Sequence, residues 1–170
     1  MNLPNLVTLS RLLGLPIIVY LLQPGVTDNQ RWWALGIFLT VSLTDWLDGY
    51  LARKLDQVTE LGKFLDPLVD KLLVLITCLS LIELNLIPAW GVALILAREL
   101  TIAGWRVNRT GSIPGANLWG KLKTISQIIA IAIILIPHPN AMVPGLIIFW
   151  VAVALTLISG LLYVIPNQEK

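Results

Sequence analysis

The sequence predicts an all-α fold: a polytopic membrane protein of six transmembrane helices with both termini in the cytoplasm. Three observations predict it. Hydrophobic residues make up 56% of the 170 positions, with a mean hydropathy of +0.81. Only 13% are charged, against about 25% in an average soluble domain. Lysines and arginines also fall unevenly about the apolar runs. A globule of this size could not hide so much apolar surface from water, so most of it must face lipid. A crossing needs about 20 apolar residues, so six crossings use roughly 120 positions. Short loops take the rest, and residues 1–170 form one transmembrane domain.

The elements follow from apolar runs and the breaks between them. Helix 1 covers 5–23 and stops at Pro24-Gly25. Helix 2, over 32–53, opens on Trp32-Trp33 and closes on Arg53. Helix 3, over 63–83, is followed by the turn from Asn85 to Pro88. Helix 4 covers 87–108, and the polar stretch from Thr110 to Gly115 separates it from helix 5 at 119–136. Pro137-His138-Pro139-Asn140 then precedes helix 6 at 142–165. One face of this arrangement collects Arg53, Lys54, Lys63, Arg106, Arg109, Lys121, Lys123 and Lys170, and the other has Arg31 alone. The positive-inside rule therefore places both termini in the cytoplasm. Trp32, Trp33, Trp90, Trp105 and Trp119 fall near span ends, as an aromatic belt would.

Several function classes are excluded at this level. A net charge of +2 without a basic tail or stripe gives no footprint for nucleic acid. The lone Cys78 forms no intramolecular disulfide and is expected to pack in an apolar run. Met1 to Ser10 lacks the positive segment of a cleavable signal. His138 has no partner at metal-ligand spacing, and the sequon Asn108-Arg109-Thr110 falls on the cytoplasmic side.

The chemistry concentrates where helix 2 ends and helix 3 begins. Asp45, Asp48, Asp66 and Asp70 lie within or beside apolar helices, where a carboxylate is costly and marks a functional cavity. Asp45 and Asp48 are spaced i,i+3, and Asp66 and Asp70 are spaced i,i+4, so each pair lines one helix face. Gly49, Ala52 and Arg53 fall on the Asp45 side, and Gly62 on the Asp66 side. Converging carboxylates in a low dielectric repel one another unless cations intervene. Oxygen donors suit Mg²⁺ or Mn²⁺, and no Cys/His set for zinc is present. Two metals with bridging carboxylates are one arrangement for phosphoryl chemistry. Small residues let a bulky ligand approach the backbone, and Arg53 offers a bidentate phosphate donor. Simple pairing of the aspartates with Arg53, Lys54, Lys63 and Lys71 would leave those small residues unexplained.

The run Asp45-x₂-Asp48-Gly49-x₂-Ala52-Arg53-x₈-Gly62-x₃-Asp66-x₃-Asp70 resembles the signature of the CDP-alcohol phosphatidyltransferases, with eight positions at fixed spacing. The similarity continues through Asn5–Arg11, Thr44–Tyr50, Arg98-Glu99 and Gly120–Thr124, over nearly the whole chain. It is greatest to the branch that accepts glycerol 3-phosphate. The resemblance implies six helices, a homodimer, two divalent cations and a cytoplasm-facing cavity in a bacterial inner membrane. Carried over by position, Asp45, Asp48 and Asp66 are metal ligands. Asp70 is the general base and also a metal ligand. Asn5, Thr8, Gly49, Ala52, Arg53 and Gly62 would bind CDP-diacylglycerol.

The acceptor is read from a different set of residues. Arg98, Arg106, Arg109, Lys121 and Lys123 gather at the cytoplasmic side of helices 4 and 5. A phosphate dianion needs several charge-assisted bonds, which favours a phosphorylated alcohol such as glycerol 3-phosphate. Positive-inside charge accounts for Arg106 equally well. Arg98, inside an apolar run, either serves the phosphate or pairs with Glu99. Lys121 and Lys123 lie about 200° apart on a regular helix, so both face one pocket only if the helix start is irregular. The expected reaction is metal-dependent transfer of a phosphatidyl group to glycerol 3-phosphate, releasing CMP. Phosphatidylinositol phosphate or phosphatidylserine synthesis is the alternative within the family. A cation transporter is a remote one, because the acids cluster near one interface rather than at a midplane repeat.

Overall fold

In the computed structural model, the backbone is described for residues 3–54, 60–107 and 118–164, and side chains for 12–44, 68–104 and 119–161. The described residues form six α-helices and no strand. These are α1 (Leu3–Leu21), α2 (Asp28–Lys54), α3 (Glu60–Glu83), α4 (Ala89–Val107), α5 (Leu118–Leu135) and α6 (Pro139–Val164). Each predicted helix is present, with ends shifted by a few residues. The largest shifts are the earlier starts of α2, α3 and α6.

Local chemistry accounts for those ends. Thr27 caps α2 in a reciprocal box: its backbone N–H donates to Gln30 Oε1 at 2.8 Å, and the Gln30 N–H donates to Thr27 Oγ1 at 3.4 Å. Asp28 adds a negative charge to the first turn, where the helix dipole favours it. The polar residues Asp28 to Arg31 therefore belong to the helix although no apolar pattern announces them. At the other end of α3, Asn85 takes φ 56°. The Leu86 N–H then reaches the Leu81 carbonyl at 2.9 Å and the Asn85 N–H that of Ile82 at 2.9 Å. This is the left-handed stop usually made by glycine, here made by asparagine. Pro139 occupies the first position of α6, where its missing N–H costs nothing.

The helices pack as a bundle. α5 lies most extensively against α6, α1 against α2 and α3, and α4 against α6, while α2 also reaches α5. An apolar core gathers Ile18, Leu22, Phe38, Leu81, Ile134 and Leu135, all essentially inaccessible. These residues come from the late turns of α1, α3 and α5, from α2, and from Leu22 just past α1. Cys78 is buried among them, as expected. At this end Arg31 donates through Nη2 to the carbonyls of Ile134, at 2.6 Å, and Ile136, at 3.3 Å. Arg31 thus satisfies carbonyls at and just beyond the C-terminal end of α5, where positive charge is favoured.

The outward surface is apolar. Leu13, Tyr20, Leu79, Leu100, Ile147 and Leu161 are all well exposed, more than a water-facing surface of this size normally shows. Among the described residues one helix segment, Pro139–Leu161, is long and apolar enough to cross a membrane. Hydroxyls inside the helices are returned to their own backbone: Thr40, Ser42, Thr77, Thr101 and Thr156 each donate to the carbonyl four residues earlier. Such bonds keep a polar side chain satisfied without water. Trp32, Trp33, Trp90 and Trp119 are exposed, and Trp90 rests against Trp150 with centroids 4.1 Å apart.

Candidate active site

Buried charge among the described residues gathers at the opposite end of the bundle from Leu22, Leu81 and Leu135. Glu99, on α4, is its centre. Its Oε1 accepts from Arg98 Nη1 at 3.0 Å and from Lys123 Nζ of α5. Its Oε2 faces Lys71 Nζ of α3 at 3.6 Å. Three cationic side chains from three helices therefore converge on one carboxylate. A buried carboxylate alone would be strongly disfavoured, and direct pairing offsets the cost. Glu99 and Lys123 are each 11% exposed at the side chain, whereas Lys71 is 44% exposed, so its contact is screened and weaker.

The cluster extends into α6. Arg98 Nη2 donates to Ser159 Oγ at 2.9 Å, and Ser159 Oγ donates to the Thr156 carbonyl at 3.0 Å. One turn deeper, Gln127 Nε2 donates to Thr156 Oγ1 at 3.1 Å. A polar seam thus runs between α5 and α6 beneath the ion cluster, its members all buried.

The aspartates map onto two helices. Asp45 and Asp48 stand near the C-terminal end of α2, with Gly49, Ala52 and Arg53, while Asp66 and Asp70 stand near the start of α3, with Gly62. α2 and α3 contact one another. Among these acids Asp70 has a described side chain, which is half-buried and engaged in an interaction. The side chains of Asp45, Asp48, Gly49, Ala52, Arg53, Gly62 and Asp66 lie outside the described residues, as do those of Asn5 and Thr8 on α1. The donor set suits a hard divalent cation: carboxylate oxygens at helical spacing, and no thiolate or imidazole beside them in the sequence.

The acceptor candidates divide. Arg98 and Lys123 meet at Glu99. Lys121 does not join them, because α5 is helical from Leu118 and the two lysines lie on different faces. Lys121 is exposed where Lys123 is buried. The side chain of Arg106, on α4, and the whole of Arg109 lie outside the described residues. Sequence reasoning offered Glu99 only as a partner for Arg98, a pairing the structure contains, named Lys71 only as a partner for the aspartates, and left out Ser159. The signal for Glu99 was present: it is an acid inside an apolar run, the same feature that singled out the four aspartates.

A family profile described as CDP-alcohol phosphatidyltransferase matches residues 1–158. The chain belongs to the CDP-alcohol phosphatidyltransferase family. It is therefore a transferase, and all six helices fall wholly or largely within the matched region. A Bacillus subtilis relative named CDP-diacylglycerol–glycerol-3-phosphate 3-phosphatidyltransferase is 40% identical, covering 99% of this chain and 96% of its own. A Rickettsia typhi relative of the same name is 36% identical over 95% of this chain and 94% of its own. A Mycobacterium tuberculosis relative named probable phosphatidylglycerophosphate synthase is 39% identical, over 96% of this chain and 80% of its own.

Proposed function

We propose that the protein transfers the phosphatidyl group of CDP-diacylglycerol to glycerol 3-phosphate, forming phosphatidylglycerophosphate and CMP. The observation that carries this reading is the near-full-length similarity to relatives named for that reaction. The ion cluster supports the choice of acceptor. Lysine and arginine side chains of α3, α4 and α5 meet at one end of the bundle, where a phosphate dianion would find charge-assisted donors.

In this reading Asp70 accepts the proton of the acceptor's C1 hydroxyl. The hydroxyl oxygen then forms a bond to the β-phosphorus of the donor, and the bond from that phosphorus to the CMP oxygen breaks. Asp45, Asp48 and Asp66, with Asp70, would hold two divalent cations, Mg²⁺ or Mn²⁺. Bound there, these supply charge neutralisation for the donor diphosphate. Gly49, Ala52 and Gly62 leave room for the cytidine moiety, and Arg53 donates to its phosphate. Asn5 and Thr8 contribute to the donor site from α1. Arg98 and Lys123, with Arg106 and Arg109, supply cationic donors to the acceptor phosphate, and Lys121 stands on another face of α5. The six helices span a bacterial inner membrane with both termini and the site on the cytoplasmic side, and the protein works as a homodimer.

The test is a transfer assay on purified protein with labelled CDP-diacylglycerol and a panel of glycerol 3-phosphate, glycerol, inositol phosphate and serine. Labelled phosphatidylglycerophosphate with stoichiometric CMP is expected from glycerol 3-phosphate, with little product from glycerol. Preference for inositol phosphate or serine would overturn the acceptor and keep the chemistry. Cation uptake by sealed vesicles without CMP release would overturn both.

A further inference from the structure

We propose that Glu99 is the positioning residue of the acceptor site, holding Arg98 and Lys123 through one carboxylate oxygen and Lys71 through the other. The inference rests on the acceptor reading above and adds a residue to it. Its basis is how the two oxygens are shared. Oε1 takes Arg98 at 3.0 Å together with Lys123, so the cations of α4 and α5 are fixed to one point. Oε2 faces Lys71 at 3.6 Å, and Lys71 follows Asp70 directly on α3. One side chain thereby registers the acceptor cations against the helix that carries the proposed base.

An ammonium carries three donors and a guanidinium five, all directional. A carboxylate that orients some of them determines where the others point. Arg98 is further constrained by Ser159 Oγ at 2.9 Å, so its planar fork is held at both ends. Preorganised donors lose less freedom when a phosphate arrives than mobile ones do. Glu99 itself, being negative, would repel the phosphate and is not a ligand for it.

Glutamine at this position keeps the shape but offers one oxygen and one amide NH₂. If the oxygen serves Arg98 and Lys123, the NH₂ group is turned to Lys71, donor against donor. Glu99→Gln is therefore expected to raise the KM for glycerol 3-phosphate roughly tenfold or more, by loosening charge-assisted bonds. The KM for CDP-diacylglycerol should stay within about twofold, since its diphosphate is held elsewhere. Glu99→Asp, which retains both oxygens on a shorter stem, should recover part of the loss. A purely structural glutamate would instead lower the amount of active enzyme while leaving both KM values in place, and that result overturns the proposal. Equal rises in both KM values do so too.

Ser159→Ala provides a second measurement that leaves every charge in place. It removes one hydrogen bond to Arg98, and the acceptor KM should rise roughly twofold to tenfold. An unchanged value there counts against the proposal even if Glu99→Gln does not fold. The wild-type acceptor panel run alongside separates the two readings. Wild type inactive on glycerol 3-phosphate sinks the acceptor assignment, whereas active wild type with an unshifted Glu99→Gln sinks the role of Glu99 alone.

Discussion

Gly160 of α6 lies directly against the stem of Arg98. A Cβ at this glycine would come to 2.9 Å from Arg98 Cγ and 3.1 Å from its Nε. Cγ is near the backbone and has less freedom than the far end of the side chain, so a methyl group at residue 160 would require a shift of Arg98 or of α6.

Gly160→Ala should therefore displace Arg98 from Glu99 Oε1 and Ser159 Oγ. Alanine is the better helix former by about 1 kcal/mol, but overpacking in a tight interface costs about 1–3 kcal/mol. The clash is expected to prevail. Kinetics on the variant should give a several-fold higher KM for glycerol 3-phosphate with the donor KM unchanged. A variant more stable than wild type and kinetically identical would show that the arginine tolerates the methyl group.

Lys123→Ala and Lys121→Ala should differ. Lys123 is buried and bonded to Glu99, whereas Lys121 is exposed on another face of the same helix. Removing one partner of a buried ion pair costs about 3–5 kcal/mol, and an exposed lysine is worth under about 1 kcal/mol. Lys123→Ala should lower the melting temperature in detergent and raise the acceptor KM at least tenfold. Lys121→Ala should show a smaller effect on both. The reverse order would place the acceptor phosphate on the exposed face of α5.

Asp70→Asn should abolish transfer while sparing the fold. The amide is nearly isosteric with the carboxylate but cannot take the acceptor's proton. Single-turnover assays should show no labelled product, and the variant should still bind CDP-diacylglycerol. Turnover within a few-fold of wild type would remove Asp70 from the role of base.

Activity should require Mg²⁺ or Mn²⁺, and Ca²⁺ should support it poorly. Calcium takes longer bonds and a looser shell, which would misplace phosphate groups. Titration of chelated enzyme with each cation measures this directly. Full activity with no measurable metal would contradict the carboxylate site.

Arg31→Gln should weaken the fold at the end of the bundle opposite the Glu99 cluster. Charge-assisted bonds to the Ile134 and Ile136 carbonyls would be lost, at about 1.5–3 kcal/mol. Thermal unfolding in detergent should shift down by several degrees, with both KM values unchanged. A kinetic defect at unchanged stability would mean that this end communicates with the proposed site.

Much of this protein is legible in one dimension because its strongest signals are local. The six helices follow from apolar runs and their breaks, since an apolar segment removed from water must satisfy its own backbone. The aspartate motif is legible for the same reason: i,i+3 and i,i+4 spacing places side chains on one face of any helix. Even the separation of Lys121 from Lys123 follows from helical geometry once the start of α5 is regular. The meeting of Lys71, Arg98 and Lys123 at Glu99 is different. They lie up to 52 positions apart, and nothing local states that α3, α4 and α5 bring them within bonding distance. Spacing along a chain fixes direction around a helix axis, but only packing between helices fixes which faces meet. The role of Gly160 is of the same kind. A glycine in an apolar run reads as a small residue like any other, until α6 is laid against α4 and the space it leaves is filled by Arg98.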